Sequence, residues 1–157
     1  MARFRTTLSS SAPVAASFER LADFASVADW DPGIAEAHLT DGEPGRVGAS
    51  YHVVSQFGPA RVPLEYRIVE RGDPRDDQPG RVVLVADGGS FTSHDTITVR
   101  PGVLGAEVSY DAVLTLRGLG RILDLPLHLA FQVIGRRAEV GLRAELARLA
   151  AAAGPRP

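Results

Sequence analysis

The feature that most constrains the fold is a change of hydrophobic period along the chain. From Ile34 to Arg117, apolar residues alternate with polar ones, and turn sequences such as "DGEPG" and "DGGS" interrupt the alternation at short intervals. Such alternation is typical of strands with one buried face, and short connections favour antiparallel neighbours. From residue 120 onward, apolar residues recur every three or four positions, as in an amphipathic helix. The sequence therefore predicts six antiparallel strands followed by one long helix.

The segment before Ile34 predicts a further strand and two short helices. Residues 3–9 ("RFRTTLS") alternate in polarity and favour a first strand. The next segment, "SSAPVAASFERLADFA", has helical spacing, with Ser10 or Ser11 available as N-cap and Pro13 tolerated in the first turn. A single helical turn or a second small helix follows in "SVADWDPGI", with Ser26 as a possible cap.

This order of elements predicts an α+β fold with a curved, seven-stranded antiparallel sheet. Such a sheet has one face to bury, and the long helix has one apolar stripe, which runs from Leu127 to Leu149. Wrapping the sheet around the C-terminal helix buries both surfaces at once. We expect one domain over residues 1–153 and a flexible tail over residues 154–157.

Composition excludes several kinds of function. The 157 residues are 45% apolar and carry a net charge of −2, without the basic stripe that a nucleic-acid surface needs. The absence of cysteine excludes disulfides and thiolate catalysis. Four isolated histidines lack metal-ligand spacing, so neither a metal nor another cofactor is predicted. Without a signal-like or membrane-spanning apolar run, the expected location is cytoplasmic, with no stable membrane insertion. Monomer and homodimer both remain open.

Four segments carry a resemblance to a known family: "FERLADFASVADWDPGI", "VGASYHV", "PLEYRIVE" and "VSYDAVLTLRG". Together with the element order, they resemble the START-like superfamily with its helix-grip fold. More narrowly, the chain is similar to the SRPBCC branch of polyketide cyclase/dehydrase-like proteins. The resemblance covers nearly the whole chain, to about Leu149. It implies a deep, mostly apolar cavity between the sheet and the long helix.

Strand alternation independently assigns side chains to the face that would line such a cavity. Three tyrosines share this face; they either pack in the core with their hydroxyls satisfied at the cavity edge, or orient a ligand as its few polar partners. On the helix, Gly135 leaves room for a ligand or allows a strand to approach closely. The predicted ligand-binding residues on these elements are Tyr51, Val53, Ser55, Leu64, Tyr66, Phe91, Ser93, Tyr110, Ala112, Phe131, Gly135 and Ala138.

Asp95 and His128 are the candidate catalytic residues. Asp95 shares the inward parity of Ile97 and Val99, where a carboxylate is costly unless it is hydrogen-bonded, protonated or reached by water. It either caps a turn or pairs with an arginine at the rim, or it faces the ligand as an acceptor or general acid/base. His128 borders the helix stripe and is either a satisfied boundary residue or an acid/base. The contiguous Ser93-His94-Asp95 cannot converge as a triad, because neighbouring strand residues point to opposite faces.

Trp30 is the only tryptophan and completes the predicted ligand-binding set. In the resembling family, a tryptophan followed by a polar residue and a proline lies beside one cavity entrance, which corresponds here to Trp30, Asp31 and Pro32. Trp30 is therefore either a structural plug where the helices meet the sheet, or a wall or gate that also touches the ligand.

We expect one of three functions. The first is binding of a hydrophobic small molecule (polyketide-like, lipid or aromatic), with cyclisation or dehydration of that molecule as a possible reaction. The second is a non-catalytic carrier or chaperone for a lipid or quinone. The third is a stress- or assembly-related module that binds a protein partner through a sheet edge or loop.

Overall fold

The computed structural model of the protein describes residues 1–117 and 124–154, with the side chains of residue 57 and of residues 124–131 outside that description. The strands are β1 (Ala2–Ser10), β2 (Ile34–Asp41), β3 (Ser50–Phe57), β4 (Ala60–Gly72), β5 (Gly80–Asp87), β6 (Phe91–Pro101) and β7 (Ala106–Leu116). The helices are α1 (Val14–Ala22), a 3₁₀ turn (Phe24–Ser26), α2 (Val27–Trp30) and α3 (Asp124–Ala153).

The seven strands form one antiparallel sheet in the order β1-β7-β6-β5-β4-β3-β2. Strands β2 to β7 are a meander, because each pairs with its neighbour in sequence, and β1 pairs with β7 at the other end. The sheet is curved and carries α3 on its inner face, which is the helix-grip arrangement. The predicted fold class is therefore confirmed.

Helix α3 buries the predicted stripe and comes unusually close to its neighbours at two glycines. Ala138, Leu142 and Leu146 are buried within the core. A Cβ atom on Gly135 would lie 2.1 Å from Cδ2 of Phe4 in β1. A Cβ atom on Gly141 would lie 1.6 Å from the carbonyl oxygen of Trp30, which ends α2. The Phe4 ring therefore occupies the space that a side chain at position 135 would need, so a larger residue there would require the ring or α3 to shift.

The start of α1 differs from the prediction. The N-cap is Pro13, whose backbone is extended, and no side chain caps the helix. Instead, the Ser10 hydroxyl accepts a hydrogen bond from the Ala12 amide at 3.1 Å. The predicted serine cap is wrong because Pro13 itself occupies the position where the backbone turns into the helix. Ser26 precedes α2, but its hydroxyl donates to the Arg20 carbonyl at 2.8 Å instead of capping.

An ionic cluster joins the three helices. Arg20 of α1 contacts Glu145 of α3 at 2.6 Å and Asp29 of α2 at 2.5 Å. Arg148 approaches the same Glu145 carboxylate at 2.7 Å. The hydrogen bond from Arg148, followed by that from Arg20, lowers the pKa of Glu145 to about 2, although the carboxyl is buried. The cluster therefore keeps Glu145 ionised and fixes α1 and α2 against α3.

At the C-terminus, α3 ends at Ala153 and Gly154 follows with a positive φ of 74°. The remainder of the predicted tail, residues 155–157, lies outside the described residues. Within the described part of the chain, we find no helix that is both long and apolar enough to cross a membrane.

Candidate functional site

A cavity of about 250 Å³ lies between the sheet and α3. Several of its lining side chains are only half-buried, among them Ile34, Val62, Phe91 and Leu114. These residues lie toward the turns that join β3 to β4 and β5 to β6, so the cavity opens at that end of the sheet. The described lining comprises Phe4, Phe24, Val27, Asp31, Gly33, Ile34, Val53, Ser55, Val62, Leu64, Tyr66, Phe91, Ser93, Asp95, Tyr110, Ala112, Leu114, Leu116, Ile134, Gly135 and Ala138.

A chain of hydrogen bonds crosses the sheet wall of the cavity. The Tyr66 hydroxyl of β4 donates to Ser93 Oγ of β6 at 2.9 Å, and Ser93 donates to Asp95 Oδ1 at 3.0 Å. From β7, the Tyr110 hydroxyl donates to Asp95 Oδ2 at 2.7 Å. Strand alternation puts Ser93 and Asp95 on the inner face, whereas His94 between them is exposed outside. The exclusion of a Ser-His-Asp triad is therefore supported by the geometry.

Asp95 lies in the middle of β6 and is only 3% exposed. Burial raises its pKa to about 6, although the hydrogen bonds from Tyr110 and Ser93 oppose the rise. Burial, reinforced by the charge of Asp95, raises the pKa of both Tyr66 and Tyr110 well above the usual value. At neutral pH the chain of hydrogen bonds therefore consists of two neutral phenols, the Ser93 hydroxyl and the Asp95 carboxylate, which accepts hydrogen bonds from Ser93 and Tyr110.

A second carboxyl, Asp31, faces the same cavity and is absent from the sequence prediction. It follows α2, is 7% exposed, and accepts a hydrogen bond from the Gly33 amide on Oδ1 at 2.7 Å. Burial raises its pKa to about 6, the Gly33 hydrogen bond opposes the rise, and the charge of Asp95 adds to it. An aspartate before a proline is ordinary turn chemistry, so the only sequence signal was its position beside the expected cavity entrance.

The structure brings most of the predicted site residues together and leaves some apart. Asp95 lines the cavity and does not cap a turn, and no arginine among the described residues pairs with it. The side chains of His128 and Phe131 lie outside the described residues. The predicted ligand-binding residues that line the cavity are Val53, Ser55, Leu64, Tyr66, Phe91, Ser93, Tyr110, Ala112, Gly135 and Ala138.

Trp30 and Tyr51 lie away from the cavity, in the densely packed part of the core. Trp30 is 4% exposed and meets the Tyr110 ring edge-on, with centroids 5.9 Å apart. It borders a separate, very small void beside Leu21 and Leu142. The Tyr51 hydroxyl accepts the Gly45 amide hydrogen at 2.7 Å. Trp30 therefore supports a cavity residue from behind, and Tyr51 anchors the connection between β2 and β3.

Sequence comparison connects this site to a protein family. The profile of the family described as "Polyketide cyclase / dehydrase and lipid transport" matches residues 1–154. The chain belongs to this family. The matched span contains the whole described cavity lining, including Asp31 and Asp95. No curated protein matches the chain in sequence.

Solved structures share the fold of this family member at low sequence identity. TTHA0849 from Thermus thermophilus is 15% identical with a TM-score of 0.71, over 98% of this chain and 99% of that one. A STAR-related lipid transfer protein from Xanthomonas axonopodis is 14% identical with a TM-score of 0.66, over 92% and 85%. The major latex-like protein 151 from Panax ginseng is 14% identical with a TM-score of 0.59, over 88% and 94%. These similarities establish the fold alone.

Proposed function

We propose that the protein holds a small hydrophobic molecule in the cavity between the sheet and α3. The observation that carries the proposal is the lining: an apolar wall of about 250 Å³ on which a few polar side chains converge. This is the usual composition of a small-molecule site, whose volumes begin at roughly 300 Å³. The volume therefore favours a compact ligand, such as a bicyclic aromatic or a short acyl chain.

Small residues opposite one another create the space. Ala138 faces the cavity from α3, and Ala112 faces it from β7. Elsewhere on the same face of α3, Leu142 and Leu146 fill the corresponding volume. Because packed cores leave few voids larger than a water molecule, a stretch of small residues beside a cavity favours a bound molecule as the missing partner.

The test is to fill part of the cavity with a larger side chain and to measure the binding of an uncharged apolar dye. N-phenylnaphthylamine should bind the wild type, with a rise in its fluorescence. Ala112→Leu should weaken that binding at least about tenfold, which corresponds to about 1.4 kcal/mol. The matched control is Ala144→Leu, the same change on an exposed position of α3. Equal dye binding by Ala112→Leu and the wild type would reject the cavity as the binding place.

A second candidate function is acid/base catalysis on the bound molecule. Asp31 and Asp95 line one cavity, and both have a pKa raised to about 6, so near pH 6 one can be ionised while the other keeps its proton. Cyclisation or dehydration of a polyketide-like substrate starts with loss of a proton next to a carbonyl. The carboxylate of Asp95 would take that proton, and the C–H electron pair would move into the enolate.

Proton abstraction can be tested with a model ketone. In D₂O, the protein should accelerate exchange of the protons next to the carbonyl of β-tetralone, followed by NMR. We expect Asp95→Asn to retain ligand binding and to lose at least about tenfold of this rate. A wild-type rate equal to the uncatalysed one would favour a carrier without chemistry, and an unchanged rate in Asp95→Asn would remove that residue from the mechanism.

A further inference from the structure

We propose that the cavity selects apolar molecules that end in a hydrogen-bond donor, an ammonium group best of all, and rejects those that end in a carboxylate. The inference rests on the proposed ligand-binding function and names the class of ligand. It follows from which hydrogen bonds the cavity already makes and which it leaves open.

The donors of the hydrogen-bond chain are already in use. The protons of Tyr66, Ser93 and Tyr110 are all directed to acceptors within the chain, which ends on Asp95. The Gly33 amide donates to Asp31 Oδ1. Among the described lining side chains, only the Ser55 hydroxyl has a proton that no protein acceptor takes. A ligand that needs several donors, as a carboxylate does, would therefore find one hydroxyl at most.

The acceptors are in excess. Asp31 Oδ2 receives no hydrogen bond from the described residues, although the side chain is more than nine-tenths buried. Each oxygen of Asp95 accepts a single hydrogen bond and can take another. A buried carboxylate with an open oxygen is costly until a donor reaches it. A ligand N–H or O–H group would meet this need.

The ionisable side chains around the two carboxyls also favour a ligand that donates hydrogen bonds. Across the cavity, the described part of α3 presents Ile134, Gly135 and Ala138, which are apolar. Among the described lining residues there is no arginine or histidine, and the ionisable side chains are Asp31, Asp95, Tyr66 and Tyr110. His94, Asp111 and Arg3 lie on the outer face of the sheet, where Arg3 pairs with Asp111.

An anionic ligand would therefore bring a third negative charge into a largely apolar cavity that opens at one end. Charges interact more strongly beside apolar walls than in bulk water, because fewer water molecules screen them. An ammonium group would instead neutralise one carboxylate and donate up to three hydrogen bonds. A hydroxyl group, which is neutral and can donate once, should rank between the two.

Three probes with an eight-carbon chain compare an ammonium, a hydroxyl and a carboxylate group: octylamine, octanol and octanoate, each titrated calorimetrically at pH 8. We expect octylamine to bind at least about tenfold more tightly than octanoate, with octanol between them. At pH 5 the preference for the amine should shrink, because both carboxyls are then mostly protonated.

Neutral variants identify the groups responsible. Asp31→Asn and Asp95→Asn should each reduce the ratio of amine to carboxylate affinity several-fold, and both should fold because they replace carboxyls that burial already disfavours as anions. The control is Asp41→Asn, an exposed position in β2 away from the cavity. It keeps the fold and changes the net charge equally, so it should leave the ratio unchanged.

The outcomes distinguish this inference from the function on which it rests. Octanoate binding as tightly as octylamine at pH 8, or a ratio that neither cavity variant alters, would overturn the donor selectivity alone. Binding of the dye without any binding of the octyl amine or alcohol would do the same. Failure of the dye and of all three probes would overturn the ligand-binding function together with the selectivity.

Discussion

The interior has two halves that the same elements build in different ways. One half, the packed half, contains Ile97 of β6 and Leu142 of α3, which are fully buried. The other half, the cavity half, contains Asp95 of β6 and Ala138 of α3, which line the cavity. Backbone pairing continues through both halves without interruption in β6 and β7. The hollow therefore comes from side-chain size and polarity along each element, and not from a gap in the sheet.

Charged side chains hold the packed half together. Arg71 of β4 pairs with Glu19 of α1, donates to the Gly45 carbonyl at 2.7 Å and lies 4.8 Å from the Phe18 ring centroid. The cluster around Glu145 fixes the helices at the same end. These contacts help the fold to tolerate a cavity and two buried carboxyls in the other half, which are both destabilising features.

The largest expected contrast between the halves is in stability. Trp30→Ala should lower the free energy of unfolding by about 3–5 kcal/mol, because it removes a large ring from the packed half. Phe91→Ala, at the half-exposed cavity mouth, should cost only about 1 kcal/mol. Urea denaturation measures both. Similar losses for the two variants would show that the halves are not packed differently.

The next effect is a pH dependence that belongs to the cavity half. Asp31 and Asp95 have a pKa of about 6 when folded, against an ordinary 3.8, so between about pH 4 and 6 the folded state binds more protons than the unfolded state. Stability should therefore fall as pH rises through this window, by up to about 3 kcal/mol for each carboxyl. Asp31→Asn combined with Asp95→Asn should flatten the decline in urea midpoints measured from pH 4 to 7.

The packed half supplies the control for this pH dependence. The pKa of Glu145 is lowered from 4.5 to about 2, so its contribution to stability is fully present well above pH 4.5 and is lost as pH falls below that value. Glu145→Gln should therefore change stability and leave the slope between about pH 5 and 6 nearly unchanged. A slope that persists in the double Asn variant would show that the cavity carboxyls do not cause it.

The smallest expected contrast uses one substitution in both halves. Ala106→Leu adds volume to the packed half and should cost about 1–3 kcal/mol, as overpacking does. Ala112→Leu adds the same volume beside the cavity and should stay within about 1 kcal/mol of the wild type. Thermal unfolding of the two variants makes the comparison. A larger loss for Ala112→Leu would mean that the cavity cannot accept the added side chain.

The sequence predicts the sheet, the long helix and the inner face of each strand, because all of these follow from hydrophobic period. The alternation of a strand gives the face of a residue, but it cannot tell which part of that face borders the cavity. Tyr51 and Tyr66 are cross-strand partners on one face, yet Tyr51 is bound by Gly45 in the packed half and Tyr66 by Ser93 in the cavity. The residues around Asp31 have no period, so its place beside the cavity depends on tertiary packing that the pattern does not encode.

The most direct test of the two-half description is to locate a bound apolar molecule by NMR. With naphthalene bound to protein labelled at its methyl groups, isotope-filtered NOEs should connect the ligand to Val53, Leu114 and Ile134, which line the cavity. We expect no NOEs to Val99 or Leu142 in the packed half. Contacts with the packed-half methyl groups, or with none of the cavity methyl groups, would contradict the proposal that the cavity is where this protein holds its ligand.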